Sequence, residues 1–399
     1  MQVQLWSYNY DPEPSGIAPL SGTIARALAA RGHDVEIVAA HPHYPEARWG
    51  SRMLPYREQR DGLPVIRLPL WVGRATAAER IRQEASFALA LAAAAPMLRT
   101  PDVILAVSPS FPALVPAMLN SRVRGVPWVL WLQDILPAGA TVTGILREGN
   151  LIRLARRIEQ AAYRSAAHVA VISDSFKEDL REKGVPDRKM TRIFNPATRE
   201  ILETPRSQEA GDGVTVLTMG NIGHTQNLVA LTRVFEASSE LAELDARFVM
   251  AGDGVAGDRV RASITTDRVF VTGMLDDRQL ERELERATVA VVSQRYEGVD
   301  FNVPSKLMNF MAVGLPVVAA VRPDSEVARI IRASGGGWVT EGGDPREFPA
   351  LVMTALTNEP ERERRAHAAL CFAQEQFDPA RLASQFEEVL LSVLPALRR

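Results

Sequence analysis

The sequence predicts an α/β protein of two domains, each built on a parallel sheet with flanking helices, and three observations carry that prediction. The chain has 399 residues, and a single hydrophobic core stops growing at roughly 250–300 residues. Short β-branched runs alternate with longer helical patterns in two successive series, as βα units do when their strands run parallel. A polar stretch punctuated by Pro and Gly separates the two series.

In order, the first series holds Val35-Glu-Ile-Val, Val65-Ile-Arg-Leu, Val103-Ile-Leu-Ala-Val, Trp128-Val-Leu-Trp-Leu and His168-Val-Ala-Val-Ile. A helix following the first strand is read at residues 23–31, ended by Gly32. The second series holds Val214-Thr-Val-Leu, Arg247-Phe-Val-Met, Val269-Phe-Val, Val289-Ala-Val-Val and Pro316-Val-Val-Ala-Ala. Between them, Asn195-Pro-Ala and Thr204-Pro-Arg-Ser-Gln-Glu-Ala-Gly-Asp-Gly read as a linker, which sets the domains at residues 1–198 and 199–375. Residues 376–399 read as a terminal helix after an Asp378 N-cap, returning to the first domain.

Composition narrows the function classes. The chain is 46% hydrophobic and 24% charged, close to the globular average. Its 46 Lys+Arg against 48 Asp+Glu leave a net charge of −2, without the basic field of a nucleic-acid binder, so no nucleic-acid partner is expected. The single cysteine, Cys371, offers neither an internal disulfide nor a metal cluster and fits a reducing, cytoplasmic compartment. No signal peptide is read at the N-terminus. The longest apolar run, residues 87–98, falls short of the ~20 residues of a membrane span. Flanked by Arg80, Arg82 and Arg99, it reads either as a core helix or as a dock for anionic lipid at the inner face of the plasma membrane.

Several loops carry residues suited to an anionic ligand. Ser15 and Gly16, in Asp11-Pro-Glu-Pro-Ser-Gly, enter a helix where backbone N–H groups can meet a ligand, or form an ordinary βα turn. Gln133 and Asp134 follow a strand at the carboxyl edge where open α/β sheets bind ligands; Asp134 reads as a base or as a helix cap. Gly220, Asn221, Gly223 and Gln226 lie in a glycine- and amide-rich loop suited to a pyrophosphate. Ala251-Gly-Asp-Gly reads as a tight turn with Gly252 and Gly254 at positive φ. The richest stretch is residues 296–314. There Asp300, Asn302 and Val303 lead to Pro304, and Ser305, Lys306 and Asn309 open a helix that Gly314 ends: an anion site with an added cation. His41-Pro-His-Tyr-Pro lacks a third metal ligand and reads as a rim loop.

These motifs, in this order and over essentially the whole chain, resemble the retaining family 4 glycosyltransferases of the GT-B fold. The resemblance is nearest to the branch with colanic-acid fucosyltransferase-like, capsule and O-antigen enzymes. It rests on Asp11-Pro-Glu-Pro-Ser-Gly-Ile, Ala30-Arg-Gly-His-Asp-Val-Glu-Ile-Val, Gln133-Asp134-Ile-Leu-Pro, Gly220-Asn-Ile-Gly with Gln226, and Pro304-Ser-Lys-Leu-Met-Asn-Phe-Met-Ala-Val-Gly. It implies two Rossmann-like domains facing across a cleft, the loop at Gly16 approaching the transferring sugar, and the nucleotide held by the second domain. Two departures narrow it. The paired glutamates of many members fall on Phe301 and Asn309, and the basic residues after the first strand of the second domain are replaced by Gly223-His-Thr-Gln226.

The resemblance implies transfer of a sugar, with retention, from a nucleotide-diphosphate donor to a saccharide or lipid-linked saccharide acceptor in cell-surface polysaccharide synthesis. With no Asp-x-Asp in the chain, no metal or other cofactor is expected, and Lys306, Ser305 and helix termini are expected to stabilise the leaving diphosphate. Asp134 is the candidate base, with Gln133 on the acceptor side. A GT-B nucleotide-sugar epimerase and a non-catalytic donor-binding scaffold are the competing classes.

Overall fold

The computed structural model describes residues 1–14, 16–44, 49–73, 76–108, 111–135, 150–197, 214–295 and 303–395. The chain divides into two compact units, Met1–Pro196 joined by Pro379–Arg399, and Ala197–Asp378.

The first unit holds β1 (Gln2–Ser7), β2 (Asp34–Ala40), β3 (Tyr56–Arg60), β4 (Leu63–Leu68), β5 (Val103–Val107), β6 (Trp128–Leu132), β7 (His168–Val171) and β8 (Met190–Arg192). They form one sheet in the order β3-β4-β2-β1-β5-β6-β7-β8. All neighbours are parallel except β3 and β4. Strand β3, Tyr-Arg-Glu-Gln-Arg, has no apolar alternation to mark it. It exists as a polar edge closed onto β4 by Asp61 and Gly62, both at positive φ as a tight hairpin turn requires. The buried strands β5 and β6 match their sequence runs.

The helix after β1 spans Ile17–Ala30, six residues earlier than its sequence suggests. Pro19, Ser21 and Gly22 look like loop residues, yet Pro19 falls in the first turn, where an N–H has no intrahelical partner to lose. Gly22 is there because a Cβ would lie 2.4 Å from Asp11 Oδ2. The Pro379–Ser392 helix belongs to this unit and packs on Ile17–Ala30, its Glu387 accepting from Arg31 and His33 while Phe386 meets the Trp131 ring at 4.9 Å.

The second unit holds β9 (Thr215–Met219), β10 (Arg247–Ala251), β11 (Val269–Gly273), β12 (Ala287–Ser293), β13 (Val317–Ala320) and β14 (Gly337–Val339), all parallel. Their order, β11-β10-β9-β12-β13-β14, is that of a doubly wound sheet, in which the winding reverses between β9 and β12 and a crevice opens at the strands' carboxyl ends. Phe235, Phe248 and Phe348 are fully buried, their centroids 5.4–6.5 Å apart. Such aromatic pairs add about 0.5–1.5 kcal/mol each beyond the area they bury. In the first unit the same reversal falls between β1 and β5.

Candidate functional site

In the second unit Gly220, Asn221, Gln226 and Lys306, all singled out by sequence, converge on the β9–β12 reversal. Gly220 follows β9 at φ 91, and the loop it opens is fastened to the β10 loop by Gly220 N–H to Ala251 O (2.8 Å) and Ile222 N–H to Asp253 O (2.9 Å). These two N–H groups are therefore spent within the protein, and the backbone cradle expected of this loop is narrower than its glycines imply. Asn221 is exposed and Gly223 half-exposed at its outer side. The β10 turn is read differently too. Gly252 has φ 155, and a Cβ there would sit 1.9 Å from Gly220 O. Gly254 has no positive φ; its missing Cβ makes room for Asn221 Oδ1 at 2.4 Å and Ile222 O at 2.6 Å. Both glycines serve the close approach of two loops.

Lys306 reaches the same place from the other side. It is the second residue of the Ser305–Ala312 helix, whose Pro304 cap position supplies no side-chain acceptor, so the first N–H groups keep their positive end. Residues 306–311 of this helix are all buried, Asn309 at 8% exposure and Lys306 at 9%. The Lys306 amine donates to Gln226 Oε1 at 3.0 Å and lies 3.5 Å from Thr218 Oγ1. Gln226 in turn donates to Asn221 O. Among the described residues no carboxylate lies within ion-pair distance of this amine, and burial alone pulls it down to about 8 from an ordinary 10.5. Lys306, Thr218, Gly220 and Gln226 line one small pocket. Val303, just before the helix, is buried. Asp300 and Asn302 lie outside the described residues, as does Ser15 of the first unit.

In the first unit Gly16 takes φ 69 at the cap of the Ile17–Ala30 helix, and a Cβ on it would meet nothing within 4 Å, so the space above the loop is open. Gln133 is buried, its amide locked in a reciprocal pair with Asn195, 2.6 Å one way and 2.8 Å the other. It ties the end of β6 to the segment after β8. Asp134 is half-buried, and burial pushes its carboxyl above the usual range while the Ile135 N–H opposes the shift. A carboxylate so desolvated is a stronger base than a solvated one.

Two plainer expectations change. The His41-Pro-His-Tyr segment is not a rim loop: His43 is fully buried and His41 is 9% exposed. His41 meets the Trp49 and Tyr56 rings, while His43 packs on the β1 loop, where Glu13, unremarked between two prolines in sequence, is 2% exposed. The apolar run at 87–98 is core on one face and exposed on the other. In the Ala77–Ala94 helix Phe87 and Leu91 are buried, while Ile81, Ala85, Leu89 and Ala93, each four residues apart, are exposed, and Met97 beyond it is 86% exposed. The neighbouring Phe111–Arg124 helix adds exposed Leu119 and Val123. Arg82 stacks on Trp71 at 4.5 Å, and Arg99 pairs with Asp34 at 2.9 Å. Among the described residues no helix is long and apolar enough to cross a membrane, and no group of three or more His, Cys, Asp or Glu is arranged to hold a metal ion.

Comparison with known proteins agrees with this geometry. Residues 15–196 match the glycosyl transferase 4-like domain, and residues 213–358 match the glycosyl transferases group 1 domain. A putative colanic acid biosynthesis glycosyl transferase, WcaI of Escherichia coli K12, is 26% identical over 377 residues, spanning 88% of this chain and 90% of the relative. Among solved structures, a sucrose-phosphate synthase from Thermosynechococcus elongatus superposes with a TM-score of 0.72 at 17% identity, covering 98% of both chains. Anabaena HepE, solved in complex with UDP and glucose, gives 0.70 at 16% identity over 98% of this chain and 100% of its own. Two Rossmann-like units in that order, matched by both domain models, make this chain a GT-B glycosyltransferase of the family 4-like class.

Proposed function

We propose that the chain transfers a sugar from a nucleotide-diphosphate donor to a lipid-linked saccharide in cell-surface polysaccharide synthesis, with retention of anomeric configuration. The observation that carries the donor assignment is Lys306: a buried cation, without a carboxylate partner among the described residues, at the sheet reversal beside the Gly220 loop. A desolvated ammonium gains most from an anion that replaces its lost hydration, and a diphosphate at the start of the Ser305–Ala312 helix would supply it. HepE, of the same fold, is solved in complex with UDP and glucose, which supports a nucleotide-linked donor.

On this reading the bond between the sugar C1 and the diphosphate oxygen breaks as the acceptor oxygen bonds C1 on the same face. Lys306 and the helix start hold the charge that develops on the leaving diphosphate, with no metal required. Asp134 takes the acceptor's proton. The apolar stripe Ile81-Ala85-Leu89-Ala93-Met97, bordered by exposed Arg80 and Arg82, lies against anionic lipid and brings the enzyme to its acceptor. The test is a panel of UDP-, GDP- and dTDP-sugars, read by nucleoside diphosphate release and by the anomeric form of the product. One donor consumed with retention is the expected result. No binding of any nucleoside diphosphate overturns the donor assignment, and an inverted product overturns the stereochemistry.

A further inference from the structure

The loop after β1 carries Gly16, and its geometry is set by a buried cluster that no step above uses. Glu13 Oε1 accepts from His43 N–H at 2.6 Å and Tyr44 N–H at 3.1 Å, with His43 Nδ1 also 3.1 Å away. Its Oε2 accepts from Asn9 Nδ2 at 2.6 Å. The same Asn9 amide lies 3.2 Å from His43 Nε2, and His43 Nδ1 lies 3.0 Å from His41 O. Since an amide nitrogen donates, His43 Nε2 is the acceptor and Nδ1 carries the proton, shared between Glu13 and the His41 carbonyl. The Tyr8 ring closes over His43 at 4.5 Å.

A second anchor holds the other side of the loop. Arg67 is fully buried and donates to Glu58 at 2.8 Å, to Ala40 O at 3.2 Å and to Asp11 O, while Arg26 bridges the Asp11 and Asp61 carboxylates. Ser7 Oγ holds Asn9 O at 2.6 Å. Ser7, Asn9, Asp11 and Glu13 are thus all engaged, and Gly16 follows Glu13 by three residues.

We propose that Glu13 is a positioning residue for transfer: through His43 and Asn9 it fixes the β1 loop, and with it Gly16 and the start of the Ile17–Ala30 helix, in the geometry the reaction uses. This rests on the proposed sugar transfer and on the loop bordering the transferring sugar, as the family resemblance implies. A buried carboxylate is a poor device for stability, because an apolar residue of similar volume avoids its desolvation. It is a good device for placing a backbone, since its acceptors fix two loops at the carboxyl edge of β1 and β2 at once. Displacing reacting groups by about 1 Å can cost a hundred-fold in rate.

The experiment is Glu13→Gln in the full chain. Its NH2 either meets the Asn9 amide, donor against donor, or turns toward the His43 and Tyr44 N–H groups. We expect kcat to fall roughly ten- to a hundred-fold, with nucleoside diphosphate affinity, read by calorimetry, within about two-fold of wild type because Lys306 lies in the other unit. A kcat within two-fold of wild type overturns the proposal, as does a loss explained wholly by unfolding at the assay temperature. Should Glu13→Gln fail to fold, Asn9→Ala removes the partner of Oε2 and leaves the His43 and Tyr44 clamp; it should lower kcat about three-fold or more at unchanged affinity, and an unchanged kcat is the overturning result. Wild-type protein that binds no nucleoside diphosphate would refute the donor reading instead, so the two failures are told apart.

Discussion

Lys306→Met should make the protein more stable and a worse binder, two effects of opposite sign from one amine. Lowering a lysine from 10.5 to about 8 corresponds to about 3 kcal/mol of differential free energy between its charged and neutral forms. The unfolded chain keeps its proton up to 10.5 while the folded chain has lost it above about 8. Stability therefore rises with pH through that window, and below pH 8 the full desolvation penalty stands. Methionine has a similar reach and no charge. Its loss of the Gln226 hydrogen bond costs about 1 kcal/mol, since the freed amide oxygen is half-exposed and can find water. The balance at pH 7 is a gain of about 2 kcal/mol, or roughly 4–8 °C in melting temperature for a domain of this size. Diphosphate affinity should fall ten- to a hundred-fold, the loss of a charge-assisted bond worth about 1.5–3 kcal/mol. Melting curves at pH 7 and 10 with calorimetric titrations read both effects, and the stability advantage should shrink at pH 10. At pH 8 wild-type protein should also take up about half a proton on binding, seen as a dependence of the binding heat on buffer ionisation. A methionine variant that melts no higher than wild type at pH 7, or that binds as well, refutes this account of Lys306.

Asp134→Asn keeps shape and removes charge, so it should fold normally and lose most transfer; near-wild-type rates would make Asp134 structural. In wild type, transfer should fall as pH drops through the raised value of Asp134, because a base must be unprotonated to act. Activity should survive EDTA, and complete loss reversed by Mg²⁺ or Mn²⁺ would restore a metal to the mechanism. Replacing Ile81, Leu89 and Met97 by Ser should abolish sedimentation with anionic liposomes while leaving hydrolysis of a soluble donor intact; equal sedimentation before and after removes that face as the membrane contact. Gly252→Ala drives a Cβ into the Gly220 carbonyl, so it should cost about 2 kcal/mol or more and weaken nucleotide binding with it, and an unchanged melting temperature would contradict the packing of these loops.

The two parallel sheets with flanking helices follow from alternation of strand and helix patterns, whereas the strand order within each sheet is set by tertiary packing. What else escaped the sequence was local. Strand β3 is polar and held by its hairpin partner, so periodicity cannot find it. The Ile17–Ala30 helix begins on residues that normally interrupt helices, and its Gly22 answers to Asp11, eleven positions away in sequence, rather than to propensity. Within the site, Lys306, Gln226 and Gly220 were legible as residue types suited to a phosphate. The spending of the Gly220 and Ile222 N–H groups on the β10 loop was not, since it depends on how closely two loops pack. Glu13 passed unnoticed for a similar reason: an acid between prolines reads as a solvated turn until the donors around it are seen.

Each unit concentrates its chemistry at the carboxyl edge near the reversal of its own sheet, but the two edges carry opposite electrical characters. At the β9–β12 reversal the buried charge is an amine surrounded by neutral oxygens and amides, starved of a counter-ion. At the β1 and β6 ends lie carboxyls, Glu13 enclosed by donors and Asp134 half-buried and pushed up by desolvation, while the buried Arg67 beside the β1 loop is already paired with Glu58. On the proposed reading, the leaving diphosphate is stabilised beside the first and the acceptor's proton is taken beside the second. Glycosyl transfer needs both at once. A single domain holding both would pair the lysine with a carboxylate and quench each; carried on separate sheets, the amine stays available to a diphosphate and the carboxyl to a proton. On the proposed reading, this separation of charge is the chemical reason for a two-unit fold. It predicts that a carboxylate placed beside the amine, as in Thr218→Asp, should raise the Lys306 pKa toward its ordinary value and abolish nucleotide binding. Binding that persists with Asp at 218 would show that the diphosphate does not depend on an uncompensated amine.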